Sequence, residues 1–217
     1  MELWVKICGI TNPGDARFVE RAGANAVGLV FSEKSPRFVS PENARAICLA
    51  LSERVQKVGV FVVPDWDRIQ EILRRVPLDV VQWHGGSLDK EGVRRLSEFG
   101  LPWIQAVRWN GTEALSAPSS AFRILVEGRS EKAPGGTGLS WDYGRLSKVS
   151  SPLPLILSGG LSPGTVEEVL SQLRDLPLAG VDVSSGVEDR PGIKDEGKVM
   201  AFIRSVRNWE KMRGRLA

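Results

Sequence analysis

Leu155-Ile156-Leu157-Ser158-Gly159-Gly160-Leu161 and, one βα unit later, Val181-Asp182-Val183-Ser184-Ser185-Gly186-Val187-Glu188 decide how this chain is read. Each is a short apolar strand running into glycine or hydroxyl residues, where several backbone N–H groups can turn toward one anion. In eightfold βα barrels the phosphate site lies in the loops after strands 7 and 8. Two such segments, in this order near the C-terminus, point to a (βα)8 barrel with a phosphorylated ligand. Either segment alone also reads as an ordinary strand-to-helix turn that uses glycine for its geometry.

Working outward, apolar β-type runs recur at Leu3–Cys8, Ala26–Phe31, Lys57–Val62, Val80–Trp83, Trp103–Val107, Arg123–Val126, Leu155–Leu157 and Gly180–Val183. Between most of them lie segments of helical period: Pro13–Ala22, Pro41–Leu51, Trp66–Arg75, Lys90–Phe99, Thr165–Leu173 and Lys194–Arg213. Strand then helix, repeated, means a parallel sheet, and eight strands suit a closed TIM barrel of the α/β class. The fifth and sixth helical slots are degenerate, because Thr112–Ser120 is short and holds Pro118 while Arg129–Ser140 is a glycine-rich loop. A doubly wound open sheet is the structural alternative. Helix starts are signalled by Asn12 before Pro13, Ser40 before Pro41 and Asp65 before Trp66. No linker rich in Pro, Gly and Ser divides the chain, so residues 1–217 are expected to form a single domain.

The 217 residues are 42% hydrophobic and 25% charged, which is the balance of an ordinary soluble domain with a substantial core. With no 18-residue apolar run and no leader at Met1, a cytoplasmic enzyme with no membrane association is expected. Cys8 and Cys48 are the only cysteines and do not suggest a secreted disulfide framework. The formal charge is +3, and the basic residues Arg204, Arg207, Lys211, Arg213 and Arg215 lie in or after the last expected helix as a solvated face, without the aromatic interleaving of a nucleic-acid surface. No nucleic acid is therefore expected as a partner. The modest excess suits steering of a small anion.

In a βα barrel the chemistry projects from the C-terminal ends of the strands. Those positions hold Cys8, Ser32 to Arg37, Gln82 and His84, Arg108, Glu127, Ser158 to Leu161, and Asp182 to Ser185. Alternation along the strands puts Lys6 with Cys8, Gln82 with His84 and Asp182 with Ser184 on the inward face. His84 is the only histidine, which excludes a zinc site built on several imidazoles; no metal is expected. The imidazole itself is either structural or in contact with ligand. Cys8, beside Lys6 and ahead of a helix N-terminus, is expected to have a lowered pKa and to serve as a base, unless it is only a small apolar filler. Glu127, ahead of Gly135-Gly136-Thr137-Gly138, is expected to have a raised pKa and to serve as an acid, or else to be an ordinary surface carboxylate. Arg37 has the fork geometry for a substrate carboxylate, or caps a helix.

Together these segments resemble the phosphoribosylanthranilate isomerase family. The match runs in unbroken order through Val5-Lys6-Ile7-Cys8-Gly9-Ile10-Thr11, Gly28-Leu29-Val30-Phe31 to Lys34-Ser35-Pro36-Arg37, Val60-Phe61-Val62 and Val81-Gln82-Trp83-His84-Gly85. It continues with Gly135 to Gly138, Trp141-Asp142-Tyr143, the two segments quoted first, and Pro191-Gly192-Ile193-Lys194-Asp195. The resemblance implies a cofactor-free Amadori rearrangement of an N-linked phosphoribosyl amine in tryptophan biosynthesis. It implies Cys8 as general base and Glu127 as general acid, standing where the family has an aspartate. It further implies Arg37 on the anthranilate carboxylate, Gly159, Gly160, Ser184 and Ser185 with neighbouring amides on the phosphate, and Gln82, His84 and Asp182 lining the pocket.

The glutamate departs from the family pattern, since its carboxyl reaches one methylene farther. The loop from Gly128 to Pro134 also lacks the usual aromatic residue, and Leu139-Ser140 replace a commonly basic pair. Asp182 and Glu131 are the other candidates for the acid. Two other functions stay open: a related phosphosugar barrel of the histidine-pathway aminoaldose isomerase type, and a non-catalytic phosphosugar-binding barrel. The former enzymes pair two aspartates, whereas strand 1 here ends in cysteine. The expected partner is a small phosphorylated molecule, bound by a monomer or homodimer.

Overall fold

The computed structural model describes residues 2–62, 65–86, 88–109, 115, 117–128 and 142–216. Eight parallel strands close into a barrel in sequence order: β1 (Trp4–Cys8), β2 (Ala26–Val30), β3 (Gln56–Phe61), β4 (Val80–Trp83), β5 (Trp103–Trp109), β6 (Arg123–Gly128), β7 (Leu155–Ser158) and β8 (Leu178–Val183). Strand β8 returns to β1 with Val5 opposite Val181 and Lys6 opposite Asp182. The open doubly wound alternative is thereby excluded. Helices α1 (Pro13–Arg21), α2 (Pro41–Leu49), α3 (Trp66–Arg75), α4 (Lys90–Glu98), α5 (Val166–Gln172) and α6 (Glu196–Leu216) cover the outside.

The helix starts follow from local chemistry. Asn12 accepts from the Asp15 N–H at 2.8 Å with Pro13 behind it, Asp65 accepts from Arg68 at 3.1 Å, and Asp89 accepts from Gly92 at 2.7 Å. Each cap satisfies one of the N–H groups a helix leaves without an internal partner. Between β5 and β6 the described residues form no helix, and between β6 and β7 they form one 3-10 turn, Tyr143–Lys148. The glycine-rich stretch 129–141, with Glu131 in it, lies outside the described residues, as do residues 110–114 and 116 of the fifth slot. The last helix differs from the sequence expectation. Lys194 belongs to β10 (Ile193–Lys194), which pairs antiparallel with β9 (Glu188–Arg190), and α6 begins only at Glu196.

Strand alternation sorts the side chains into two cores. Val5, Ile7, Val81, Trp83, Val181 and Val183 face the helices in the larger cluster. Trp4, Ala26, Val58, Val80, Ile104, Ala106, Leu125 and Ile156 fill the barrel interior. Above that plug Cys8 packs with Val30 and Val60. Closure is tightest at Gly180, where a β-carbon would lie 2.2 Å from the Trp4 carbonyl oxygen. Because the obstacle is backbone, it cannot swing aside. Gly180→Ala is expected to cost at least about 2 kcal/mol through overpacking, read as a lower midpoint in denaturant unfolding. An unchanged midpoint would contradict this account of the β1–β8 seam.

Candidate active site

The strand ends bring the inward residues of β1, β7 and β8 into one buried network. Lys6 Nζ donates to Asp182 Oδ1 at 2.8 Å, and Ser158 Oγ donates to Asp182 Oδ2 at 3.1 Å. Cys8 Sγ and the Lys6 stem lie side by side against Gly28, so the thiol, the ammonium and the carboxylate form a continuous row. Gly28 on β2 makes room for it. A β-carbon there would sit 2.6 Å from Cys8 Sγ and 2.9 Å from Lys6 Cε.

Glu127 ends β6 with Arg108 of β5 and Ser158 of β7 in register on either side. Its Oε2 lies 3.2 Å from His84 Nε2 and accepts from Arg108 Nε at 3.4 Å. His84 follows β4, two strands away around the ring, so a contact between them requires both to point into the barrel mouth. Gln82, one turn of alternation below His84, is buried, and its Oε1 has no hydrogen-bond partner among the described residues. An orphaned acceptor in that position suits a hydroxyl donor from a ligand.

Two electrostatic expectations are corrected. Burial pushes the Cys8 thiol above its ordinary value of 9.0; Lys6 and, less strongly, Lys194 oppose that push without overcoming it, and Asp182 adds to it. The free protein therefore holds a thiol rather than the lowered, readily ionised group expected from the helix terminus and Lys6. Burial also favours the neutral form of Glu127, but His84, through hydrogen bond and charge, and then Arg108 outweigh it, and the carboxyl falls below 4.5. It was expected above. Burial alone would discharge Lys6, yet the Asp182 carboxylate and Cys8 raise it above 10.5, so the ammonium stays charged in the interior.

The thiol direction has a direct test. Alkylation of Cys8 by iodoacetamide proceeds through the thiolate, so its rate is expected to rise about tenfold per pH unit up to at least about pH 9. The Cys48→Ser background removes the other thiol, which burial pushes up to about 12. A plateau near neutral pH would show a preformed thiolate and refute the assignment.

Arg37 does not stand free. Its Nε and one terminal nitrogen hold the two oxygens of Glu188 at 2.8 and 2.7 Å. The other terminal nitrogen, together with the outer edge of the guanidinium, remains for a ligand. Ser184 is also partly used, since its hydroxyl donates to the Cys8 carbonyl at 3.0 Å. What it retains for an anion is its backbone N–H. Gly159 and Gly160 turn the chain after β7 with φ of 88° and 73°. Tyr143, from the 3-10 turn after β6, donates to the Gly159 carbonyl and so pins that loop from below. After β8, Ser185–Val187 form a 3-10 turn.

Sequence reasoning assigned no role to Glu188, Lys194 or Tyr143, although all three stand in the quoted segments. Glu188 and Lys194 flank Pro191-Gly192, a turn dipeptide that signals a hairpin and so places them in register.

Left-handed glycines after β7 and a tight turn after β8, at the mouth of a barrel carrying a thiol and carboxylates, define the phosphate-binding (βα)8 enzymes. Comparison narrows the class. The family model described as N-(5'phosphoribosyl)anthranilate (PRA) isomerase matches residues 5–205. The chain is 43% identical to the N-(5'-phosphoribosyl)anthranilate isomerase of Nitrosospira multiformis, over 95% of this chain and 97% of the relative. Among solved structures it is similar to the Thermus thermophilus phosphoribosyl anthranilate isomerase, with TM-score 0.80 and 32% identity over 96% and 99% of the two chains. It is likewise similar to a phosphoribosyl anthranilate isomerase in complex with reduced 1-(o-carboxyphenylamino)-1-deoxyribulose 5-phosphate, with TM-score 0.76 and 34% identity over 95% and 99%. The chain belongs to the N-(5'-phosphoribosyl)anthranilate isomerase family.

Proposed function

We propose that Cys8 and Glu127 are the base and acid with which this chain carries out the isomerisation of its family. The reaction is the Amadori rearrangement of N-(5-phosphoribosyl)anthranilate to 1-(2-carboxyphenylamino)-1-deoxyribulose 5-phosphate in tryptophan biosynthesis. Glu127 delivers a proton to the furanose ring oxygen as the C1–O bond breaks and the nitrogen lone pair forms C1=N. Cys8 then removes the C2 proton, and the C2–H electrons form C1=C2 while the iminium nitrogen is neutralised. Tautomerisation of the enolamine gives C2=O and a C1 methylene. Oxidation at C2 balances reduction at C1, so the chemistry needs no cofactor.

The observation that carries this reading is the polar rim from Cys8 through Lys6, Asp182 and Ser158 to the register neighbour Glu127, closed across the mouth by His84. In the free protein burial raises the thiol while His84 and Arg108 lower the carboxyl, which favours a proton on sulfur over one on Glu127. Chemistry requires it on the carboxyl. The active form is therefore the minor tautomer, and Lys6 beside the sulfur is what makes that form accessible.

Around this pair, Arg37 receives the anthranilate carboxylate, and the amides near Gly159, Gly160, Ser184 and Ser185 receive the phosphate. Gln82, His84 and Asp182 line the sugar pocket. We infer one domain over residues 1–217, acting in the cytoplasm as a monomer or homodimer on this small phosphorylated substrate, with no metal, nucleic acid or membrane. In the described residues no helix is long and apolar enough to cross a membrane.

The test is conversion of freshly prepared phosphoribosylanthranilate by purified protein in the presence of a chelator, together with rescue of a tryptophan auxotroph. Binding of the reduced product analogue without turnover or rescue would leave a non-catalytic barrel. Preferential turnover of the histidine-pathway aminoaldose would assign the other isomerase.

A further inference from the structure

The hairpin β9–β10 contributes two buried charges, Glu188 and Lys194, with no place in the chemistry described above. Glu188, its side chain only 4% exposed, accepts four hydrogen bonds. Two come from Arg37, one from Lys194 Nζ at 2.8 Å and one from the Gly192 N–H at 3.3 Å. Lys194 is wholly buried and also donates to the Ser184 carbonyl at 3.3 Å. Two cations on one carboxylate leave the cluster one positive charge. Its position joins three parts of the site: the loop after β2 through Arg37, the turn after β8 through Ser184, and the floor of the hairpin.

We propose that Glu188 is the positioning residue for substrate selection: it fixes the guanidinium of Arg37 by one edge, so that the other edge meets the carboxylate on the aromatic ring of the substrate. A guanidinium on a flexible stem carries a large rotamer entropy, and ordering it before the ligand arrives removes that cost from binding. Gly9 permits the pose, because a β-carbon there would fall 2.5 Å from Arg37 Cδ. Lys194 shares the single negative charge of Glu188, so that Glu188 holds Arg37 without cancelling its positive charge. The ligand chemistry is that of an ortho-carboxylated aryl amine, distinguished from an unsubstituted aryl amine.

This inference rests on Arg37 as the carboxylate binder, and the experiment separates the two. Phosphoribosylanthranilate and its aniline counterpart, which lacks only the ring carboxylate, are compared as substrates of the wild type, Arg37→Met and Glu188→Gln. The ratio of kcat/KM for the two substrates is read on the same folded protein and is independent of the fraction folded. Glu188→Asp, which keeps the charge and shortens the reach, serves as the second variant. Wild type is expected to favour the carboxylated substrate, and Arg37→Met to lose that preference. Glu188→Gln is expected to reduce it at least about tenfold, the scale of a charged hydrogen bond, with the loss in KM rather than kcat. Glu188→Asp should fall between. If Arg37→Met loses the preference while both Glu188 variants keep it, the positioning role is refuted and the carboxylate assignment stands. If wild type shows no preference, both fall.

Discussion

Cys8→Ser is expected to lower kcat by at least about a hundredfold, the lower end for loss of an acid–base group. The substitution changes one atom and only slightly shrinks a side chain packed with Val30 and Val60, so the fold is retained. A hydroxyl does not become an alkoxide against the burial that already pushes the thiol up, and Lys6 cannot supply the difference. The melting temperature and the affinity for the reduced product analogue are expected to stay near wild type. A variant that keeps most of the wild-type kcat would remove Cys8 from the chemistry.

The second large effect is at Glu127. Glu127→Gln keeps the length and the hydrogen-bonding reach toward His84 but holds no transferable proton, and kcat is again expected to fall at least about a hundredfold. The amide also ends the attraction to His84 and Arg108 that lowers the carboxyl in the free protein. The loss is thus a loss of the proton, measured at saturating substrate, rather than of the contact. Full activity in Glu127→Gln would move the acid to another group, Asp182 being linked to this position by way of Ser158. Asp182 is poorly placed for that role, because both of its oxygens already accept hydrogen bonds from within the barrel.

The barrel was legible because its signals are local. Apolar runs of three to six residues at βα spacing mark the strands, and Asn12, Ser40 and Asp65 announce their helices through the caps they form. Strand alternation also sorted Lys6, Cys8, Gln82 and Asp182 inward, and all four are buried. Lost from view was everything that depends on depth. Sequence places Cys8 at a strand end but does not show how deeply it is buried, and that burial, against the pull of Lys6, reverses the direction of its pKa. Glu127 finds His84 two strands away, a pairing that no spacing along the chain encodes. The Arg37–Glu188 pair joins residues 151 positions apart, so the fork was read as vacant when half of it is engaged. Lys194 was assigned to a helix because its neighbours continue that period, whereas the Pro191-Gly192 turn sets it in a strand.

These particulars converge on an order of events. Proton delivery by Glu127 opens the ring, and only the opened sugar exposes a C2 proton acidic enough for Cys8. The most direct measurement uses phosphoribosylanthranilate deuterated at C2 in a single turnover, with reductive trapping of any ring-opened imine. Cys8→Ser is predicted to accumulate trapped imine with its deuterium intact. Glu127→Gln is predicted to accumulate none. Deuterium loss at the wild-type rate in the serine variant, or trapped imine in the glutamine variant, would contradict the account.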